Sequence, residues 1–364
     1  NHFRGRKGPL LLIIMDGIGI GKKDESNAVY QARTPILDKL FESEFYTQLK
    51  AHGTAVGLPS DDDMGNSEVG HNALGAGRIF DQGARLVNRA LATGAIFKTD
   101  VWDAIVSRSQ KGGTVHFIGL LSDGNVHSHI DQLFILIDEC ARAGLKRVRL
   151  HPLLDGRDVG ERTALDYVGP AEEKLKKISD EKGLDYAIAS GGGRMKVTMD
   201  RYNSDWNIVQ RGWQAHVEGR GRAFTSASEA IETFYAEDPA ATDQYLPAFV
   251  VVDQTGKPVG TITDGDAVIF FNFRGDRAIE ISRAFTEKEF NEFDRGELPD
   301  IYYAGMMEYD GDAHIPPNFL VQPPAIDRVV SEYLCAAGVK TFAVSETQKY
   351  GHVTYFWNGN RSGY

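Results

Sequence analysis

Two cysteines in 364 residues cannot build a disulfide framework, so the small secreted scaffolds that depend on one are excluded. Cys140 and Cys335 each sit in an apolar-periodic segment that ends in Ala and Gly, which reads as two small core residues of a reduced, intracellular protein. Long apolar runs are lacking too. The longest, Pro9 to Met15, falls far short of the roughly 20 residues that a membrane-crossing helix needs. Basic charge is in deficit, with 40 Lys and Arg against 51 Asp and Glu and a net charge of −11. No long-range field then draws in nucleic acid or an anionic membrane, and any anionic ligand must find a local basic pocket. There is no internal repeat, and the only block of like charge is Asp61 to Asp63. The opening Asn-His-Phe-Arg-Gly-Arg-Lys has neither an initiator Met nor the apolar core of a signal peptide, so a processed or added end of a cytoplasmic protein is expected.

What is present is the composition of a folded α/β protein: 42% hydrophobic and 25% charged residues, 39 Gly and 13 Pro. The length suggests about two domains. Short β-rich apolar runs alternate with loops of Gly, Asp, Arg and His and with amphipathic helical patterns. Strands are expected at Leu10 to Met15, Thr114 to Leu120, Arg147 to Leu153, Tyr186 to Ala189, Phe249 to Val252, Ala267 to Phe273, Ile301 to Gly305 and Thr341 to Val344. Most are too apolar to keep a wet face, as central parallel strands are.

One βαβ unit stands out: the run at 114–120, a helix from Ile130 to Ala143 stopped by Gly144, and the run at 147–153. Thr34-Pro35 announces another helix, and helical patterns cover Asp205 to His216, Ser226 to Glu237, Thr286 to Phe293 and Ile326 to Ala337. The Gly-rich stretch Gly75 to Arg78 and the Pro-rich Gln322 to Pro324 are candidate linkers. They leave residues 80–322 as an insertion between flanks 1–79 and 323–364, which together form one discontinuous domain.

In open α/β sheets ligands bind beyond the carboxyl ends of the strands. The residues there are Asp16-Gly17, Asp123 to His129, Asp155-Gly-Arg157-Asp158, Gly191 to Arg194, Asp200-Arg201, Arg274-Gly-Asp276-Arg277 and Glu346 to Lys349. A single Asp-Gly-Arg-Asp is most simply a charged turn. Five arginines with interleaved carboxylates after successive strands instead suggest a concave basic site, whose bidentate forks fit a small phosphorylated or carboxylated metabolite.

Asp16 at the end of an apolar run suits a hard cation, or is simply a turn or capping aspartate. The Gly-rich segment that follows it fits neither a Walker loop nor a dinucleotide fingerprint. Ser67, in Gly65-Asn-Ser-Glu-Val-Gly70-His71, is a candidate nucleophile or equally a helix N-cap. His116 and His151 lie within strands and read as structural, whereas loop His127 could donate to a phosphate. Lys349 could neutralise a phosphoryl group in transfer, though an exposed lysine is commoner.

Together Asp16-Gly, Thr34-Pro-Ile-Leu-Asp38, Gly65 to His71, Gly119 to Gly124, Val126-His-Ser-His129, Asp155 to Asp158, Gly192-Gly-Arg194, Met199-Asp-Arg201, Asn272-Phe-Arg274, Asp276-Arg277 and Lys349 to Thr354 resemble the cofactor-independent (2,3-bisphosphoglycerate-independent) phosphoglycerate mutases, in order and over nearly the whole chain. The resemblance extends to their trypanosomatid and plant-like branch. It implies an alkaline-phosphatase-like three-layer α/β domain with a large inserted α/β phosphotransferase domain. It also implies interconversion of 3- and 2-phosphoglycerate through a phosphoserine, by a monomer that needs no 2,3-bisphosphoglycerate.

By position, Ser67 is then the nucleophile, Asp158 the proton handler and Lys349 a charge stabiliser. His127, Arg157, Asp158, Arg194, Arg201, Arg274 and Arg277 grip the substrate, and Asp16 and Ser67 belong among the ligands of two divalent ions, manganese first, cobalt or magnesium next. The family continues past the point where this chain stops, with most of its metal ligands and an Asp-His-Gly motif that does not occur here. The chain is therefore expected to be truncated at its C-terminus and to lack mutase activity as it stands. A metal-dependent phosphohydrolase or phosphopentomutase of the same superfamily, or a non-catalytic binder of phosphorylated acids, are the alternatives.

Overall fold

The computed structural model describes residues 8–361 and places eight strands, all of them between Val115 and Gly305. They are β1 (Val115–Leu120), β2 (Arg147–Leu154), β3 (Asp185–Ile188), β4 (Ser190–Gly193), β5 (Arg222–Phe224), β6 (Phe249–Val251), β7 (Ala267–Phe270) and β8 (Tyr302–Gly305). The sheet order is β5-β6-β4-β2-β1-β7-β8, with β3 pairing β2 beside that path. Every pairing is parallel except β4 with β6. The expected βαβ unit is present. β1 and β2 run parallel in register from Val115 opposite Val148 to Leu120 opposite Leu153, and the helix Ile130–Arg142 crosses between them. It buries Leu133, Leu136, Ile137 and Cys140 and ends at Gly144, whose φ of +71° only glycine takes without strain. β1 and β7 have no exposed residue, which is why their sequences are apolar runs, interrupted only by His116 in β1.

A chain of polar side chains runs through this core. His116, His151 and His216 are fully buried. His116 Nε2 lies 3.1 Å from Asp266 Oδ2, and His116 Nδ1 lies 2.9 Å from His151 Nε2. Ser190 Oγ is 2.7 Å from His151 Nδ1 and 2.8 Å from His216 Nδ1, and His216 Nε2 is 2.9 Å from Thr198 Oγ1. An ionised Asp266 can only accept, and that fixes every donor in turn. His116 donates to Asp266, His151 to His116, Ser190 to His151, His216 to Ser190 and Thr198 to His216. The structural reading of His116 and His151 is borne out.

Several expectations are corrected. Leu10 to Met15 and Thr341 to Val344 are not strands; Leu10 is 97% and Phe342 91% exposed. A strand exists only through a ladder partner, and among the described residues neither segment has one. The helix expected at 286–293 lies instead at Ile279–Thr286. Phe290 and Phe293 imitate a helical face but pack as loop aromatics against Trp206 and Trp213, at 5.5 and 6.3 Å between ring centres. β4 and β5 were not foreseen. β4 reads Ser-Gly-Gly-Gly, a poor strand by composition, because neighbouring backbone presses on it: a Cβ on Gly193 would lie 2.4 Å from the Asp243 carbonyl oxygen. The Gly75 to Arg78 stretch is no linker but the end of helix Ser67–Ala76. Cys335 is exposed, whereas Cys140 is buried as expected.

The chain divides into two compact units, one up to Ala51 and one from His52. The first carries the short helices Ala28–Gln31, capped by Asn27, and Pro35–Phe41, with Pro35 at its first position as Thr34-Pro35 announced. The second holds the sheet. Among the described residues no helix is long and apolar enough to cross a membrane.

Candidate active site

The loops beyond the carboxyl ends of β1, β2 and β4 meet around one guanidinium. Arg194, 1% exposed, follows the glycines of β4. Its Nη1 donates to Asp155 Oδ1 at 2.8 Å and to Asp158 Oδ2 at 2.5 Å, while Nη2 donates to His127 Nε2 at 2.7 Å. Asp155 is locked in turn, accepting from Ser122 Oγ at 2.6 Å and from the backbone N–H groups of Arg157 and Asp158 at 3.2 and 3.0 Å. This Asx-turn holds the Asp-Gly-Arg-Asp segment. Arg157 itself is exposed.

His127 is neutral. Burial first, then the Arg194 charge, holds its pKa well below the usual value. With Nε2 accepting from Arg194, the proton belongs on Nδ1, which faces Asp276 Oδ1 at 3.6 Å. In this arrangement His127 links two loops.

Asp276 is the hub of the second half of the site. Arg274 Nε lies 3.1 Å from Asp276 Oδ1, and Arg201 Nη1 donates to Asp276 Oδ2 at 3.3 Å. Burial would raise the Asp276 pKa, but the Arg274 charge first, then those of Arg277 and Arg201, hold it well below the carboxylate range. Arg277, 4% exposed, donates to the Met199 carbonyl at 2.6 Å. Its pKa is pushed down to about 10, by burial first and then by the charges of Arg201, Arg194 and Arg157, against the pull of Asp276. A guanidinium held that low is short of negative charge, and an anion among these arginines would supply it.

Ser67 is the first residue of helix Ser67–Ala76, whose N-cap is Asn66, with its side chain accepting from the Val69 N–H at 3.2 Å. The N-cap alternative for Ser67 is thereby corrected: the cap is one residue earlier, and Ser67 Oγ instead receives Lys349 Nζ at 2.6 Å. Beneath them His71 Nδ1 donates to the Ser67 carbonyl at 2.7 Å, and the His71 and His352 rings lie 5.4 Å apart, edge to face. Gly75 lets the helix seat on the following turn, since a Cβ there would lie 2.0 Å from the Trp357 carbonyl oxygen.

Three contacts connect the serine side to the arginine side. Glu68 Oε2 is 3.2 Å from Arg274 Nε, Gln348 Oε1 accepts from Arg201 Nη2 at 3.1 Å, and Asn125 Nδ2 donates to Asp63 Oδ1 at 2.5 Å. Burial pushes the Glu68 carboxyl up to about 7, with Arg274 opposing and Asp276 adding to it.

The structure thus brings together Ser67, His127, Asp158, Arg194, Arg201, Arg274, Arg277 and Lys349, with Arg157 at the rim. Asp16 belongs to the first unit, exposed in a turn closed by the Ile18 N–H to the Met15 carbonyl at 3.3 Å, with Gly17 at φ +79°. Sequence reasoning missed the bracing roles of Asp155, Asp276 and Gln348. The signal for the two aspartates was their place inside the arginine motifs; Gln348 offered none. A cleft of about 510 Å³ opens at the opposite ends of β1, β2 and β7, but its Arg108 is already paired with Asp300 at 3.1 Å. It holds none of the groups above.

Residues 87–311 match the family model described as the BPG-independent phosphoglycerate mutase N-terminus. The chain belongs to the BPG-independent phosphoglycerate mutase family. A probable mutase of this family from Leptospira interrogans is 57% identical over 365 residues, covering 100% of this chain and 66% of its own. The Trypanosoma brucei mutase is 56% identical over 356 residues, covering 97% and 64%. Among solved structures, Leishmania mexicana phosphoglycerate mutase at low cobalt concentration superposes with a TM-score of 0.93 at 55% identity, over 96% of this chain and 64% of that one. The chain therefore spans about two thirds of the length of these mutases, and its mixed α/β fold with a largely parallel sheet is theirs.

The two metal ligands expected in this chain, Asp16 and Ser67, are too few to hold an ion by themselves. Among the described residues no group of three or more His, Cys, Asp and Glu side chains gathers as a metal ion requires. Hard divalent ions seek about six ligands, and Asp16 and Ser67 supply too few.

Proposed function

We propose that this chain is the serine-bearing and substrate-gripping part of a mutase that interconverts 3- and 2-phosphoglycerate through a phosphoserine at Ser67. The observation that carries the reading is Lys349 Nζ at 2.6 Å from Ser67 Oγ, tied through Glu68 and Gln348 to the arginine cluster. An ammonium at that distance stabilises the Ser67 alkoxide, and α-helix N–H groups beneath it favour negative charge.

In the first transfer Ser67 Oγ bonds to phosphorus, the bond from phosphorus to O3 breaks, and O3 takes a proton from Asp158. The arginines keep the glycerate carboxylate while the acid turns. In the second, Asp158 recovers a proton from O2, O2 bonds to phosphorus, and the Ser67 alkoxide leaves. Protons and charges balance over the cycle. A phosphatase has no need to retain the dephosphorylated acid, and so many arginines favour a mutase over a phosphohydrolase.

In the same reading, residues 1–79 and 323–364 are the alkaline-phosphatase-like part and 80–322 the inserted phosphotransferase part. Two facts support this division. Helix Ser67–Ala76 packs on the turn His352–Phe356, joining the two flanks, and the family match at 87–311 falls inside the insertion. Among the described residues no metal-holding group gathers, which favours binding without turnover for this chain by itself.

Calorimetric titration with 3-phosphoglycerate, glycerate and inorganic phosphate tests the reading. The phosphorylated acid is expected to bind at least tenfold more tightly than phosphate, with no 2-phosphoglycerate or free phosphate appearing in the presence of manganese. Equal affinity for all three would overturn it, and released phosphate would favour a phosphohydrolase.

A further inference from the structure

Arg201 sits on a segment whose backbone is held against its own preferences. Thr198, Tyr202 and Asn203 have φ of 70°, 60° and 53°, the left-handed region, and none is glycine. A β-branched residue such as Thr198 is rare there. Such strain persists only where the surroundings over-determine the conformation. Here Thr198 Oγ1 is fixed by His216, and the Met199 carbonyl by Arg277. Asp200 accepts from Ser204 Oγ at 2.9 Å and from the Asp205 N–H at 2.7 Å, which folds the chain back just after Arg201.

A further tie comes from a neighbouring helix. Glu280, on helix Ile279–Thr286, accepts the Asn203 N–H on Oε1 at 2.9 Å, and Arg283 of the same helix donates to Asn203 Oδ1 at 3.3 Å. Glu280 and Asp200 are each 3% exposed. Glu280 Oε2 is buried without a hydrogen-bond donor. A carboxylate oxygen in that position is costly, and two buried carboxylates side by side do not both ionise readily.

We propose that Glu280, buried beside Asp200, is a positioning residue that clamps Asn203 and so aims Arg201 at the phosphoglycerate-binding arginines. The inference rests on the reading of that site given above. Burial pushes the Glu280 carboxyl up to about 8; the Asn203 N–H and the Arg283 charge pull it down, and Asp200 adds to the rise. Asp200 and Arg283 are the charged groups bearing on it. Above pH 8 Glu280 ionises against Asp200, and the clamp loosens. Glutamine keeps the acceptor without the charge.

The test uses the 364-residue chain with two readouts. The first is the dissociation constant for 3-phosphoglycerate between pH 7.5 and 9.5. The second is amide hydrogen exchange over residues 198–205, corrected for intrinsic rates and independent of any ligand. Wild type is expected to lose about tenfold in affinity, and its protection at Asn203, across that range. Glu280→Gln should match wild type at pH 7.5 and stay flat in both readouts, whereas Glu280→Ala should be weak and unprotected throughout. A Glu280→Gln variant that follows the wild-type decline overturns the proposal, even if Glu280→Ala does not fold. If 3-phosphoglycerate binds no variant and not the wild type, the substrate reading fails, and exchange at Asn203 still decides the role of Glu280.

Discussion

Lys349 Nζ stands 2.6 Å from Ser67 Oγ across 282 positions of sequence. The two are brought together because helix Ser67–Ala76 and the turn His352–Phe356 share a tight seat at Gly75. The lysine thus reaches the serine from a segment three residues before a turn that the helix itself holds.

Removing that charge should weaken the hold on a phosphorylated acid more than removing the hydroxyl. A charge-assisted hydrogen bond contributes about 1.5–3 kcal/mol. Lys349→Met is expected to raise the dissociation constant for 3-phosphoglycerate about tenfold, and Ser67→Ala to change it less than about twofold. Calorimetry on both variants checks this; equal losses would separate Lys349 from phosphate recognition.

Arg194 is as much a structural brace as a ligand. Its loss strands Asp155 and Asp158 without their shared cation, and breaking a buried pair costs about 3–5 kcal/mol. Arg194→Met should therefore lower the urea midpoint markedly. Arg194→Lys should recover little, since one ammonium cannot serve Asp155, Asp158 and His127 in a planar fork. A midpoint unchanged in both variants would contradict the bracing role.

Stability should also report Glu280. Unfolded, its carboxyl loses a proton near 4.5; folded, near 8. Between those values the folded chain holds more protons, so the Glu280 contribution to stability falls as pH rises from 4.5 to 8. Glu280→Gln and wild type should unfold alike near pH 5, and the variant should be the more stable by on the order of 2 kcal/mol at pH 9. Urea titrations at the two pH values decide it.

The buried histidines predict the opposite slope on the acid side. Burial is the first cause that lowers all three, and His216 falls from 6.5 to about 3. The unfolded chain takes up protons near 6.5 that the folded core refuses, so stability declines as pH drops from 6.5 toward 3. A tenfold difference in proton affinity between the folded and unfolded chain is worth about 1.4 kcal/mol. His216→Phe should flatten that acid slope while lowering stability at pH 7 through lost bonds to Ser190 and Thr198. An unaltered slope would place the acid sensitivity elsewhere.

Six strands were legible in the sequence, β1, β2, β3, β6, β7 and β8, because burial writes a run rich in apolar residues; β7 is the plainest case, with every residue apolar and buried. The glycine strand β4 was hidden, since its reason is the backbone pressed against it rather than any side chain of its own. Leu10 to Met15 and Thr341 to Val344 show the converse: an apolar run states a wish for burial, and the ladder partner decides whether a strand forms. In the site, the arginines were legible because most of them stand in short Gly, Asp and Arg motifs just past apolar runs. The groups that aim them were not, because Glu280 meets Asn203, and Gln348 meets Arg201, across 77 and 147 positions.

The line of donors from Thr198 to Asp266 has one consequence for the core as a whole. Each ring and hydroxyl points its proton the same way, so no member can turn over without setting two hydrogens or two lone pairs face to face at both neighbours. The six side chains therefore behave as a single polarised cable laid across the sheet. Clipping it at Asp266 should be felt at its opposite terminal, where Thr198 opens the stretch of backbone that carries Arg201.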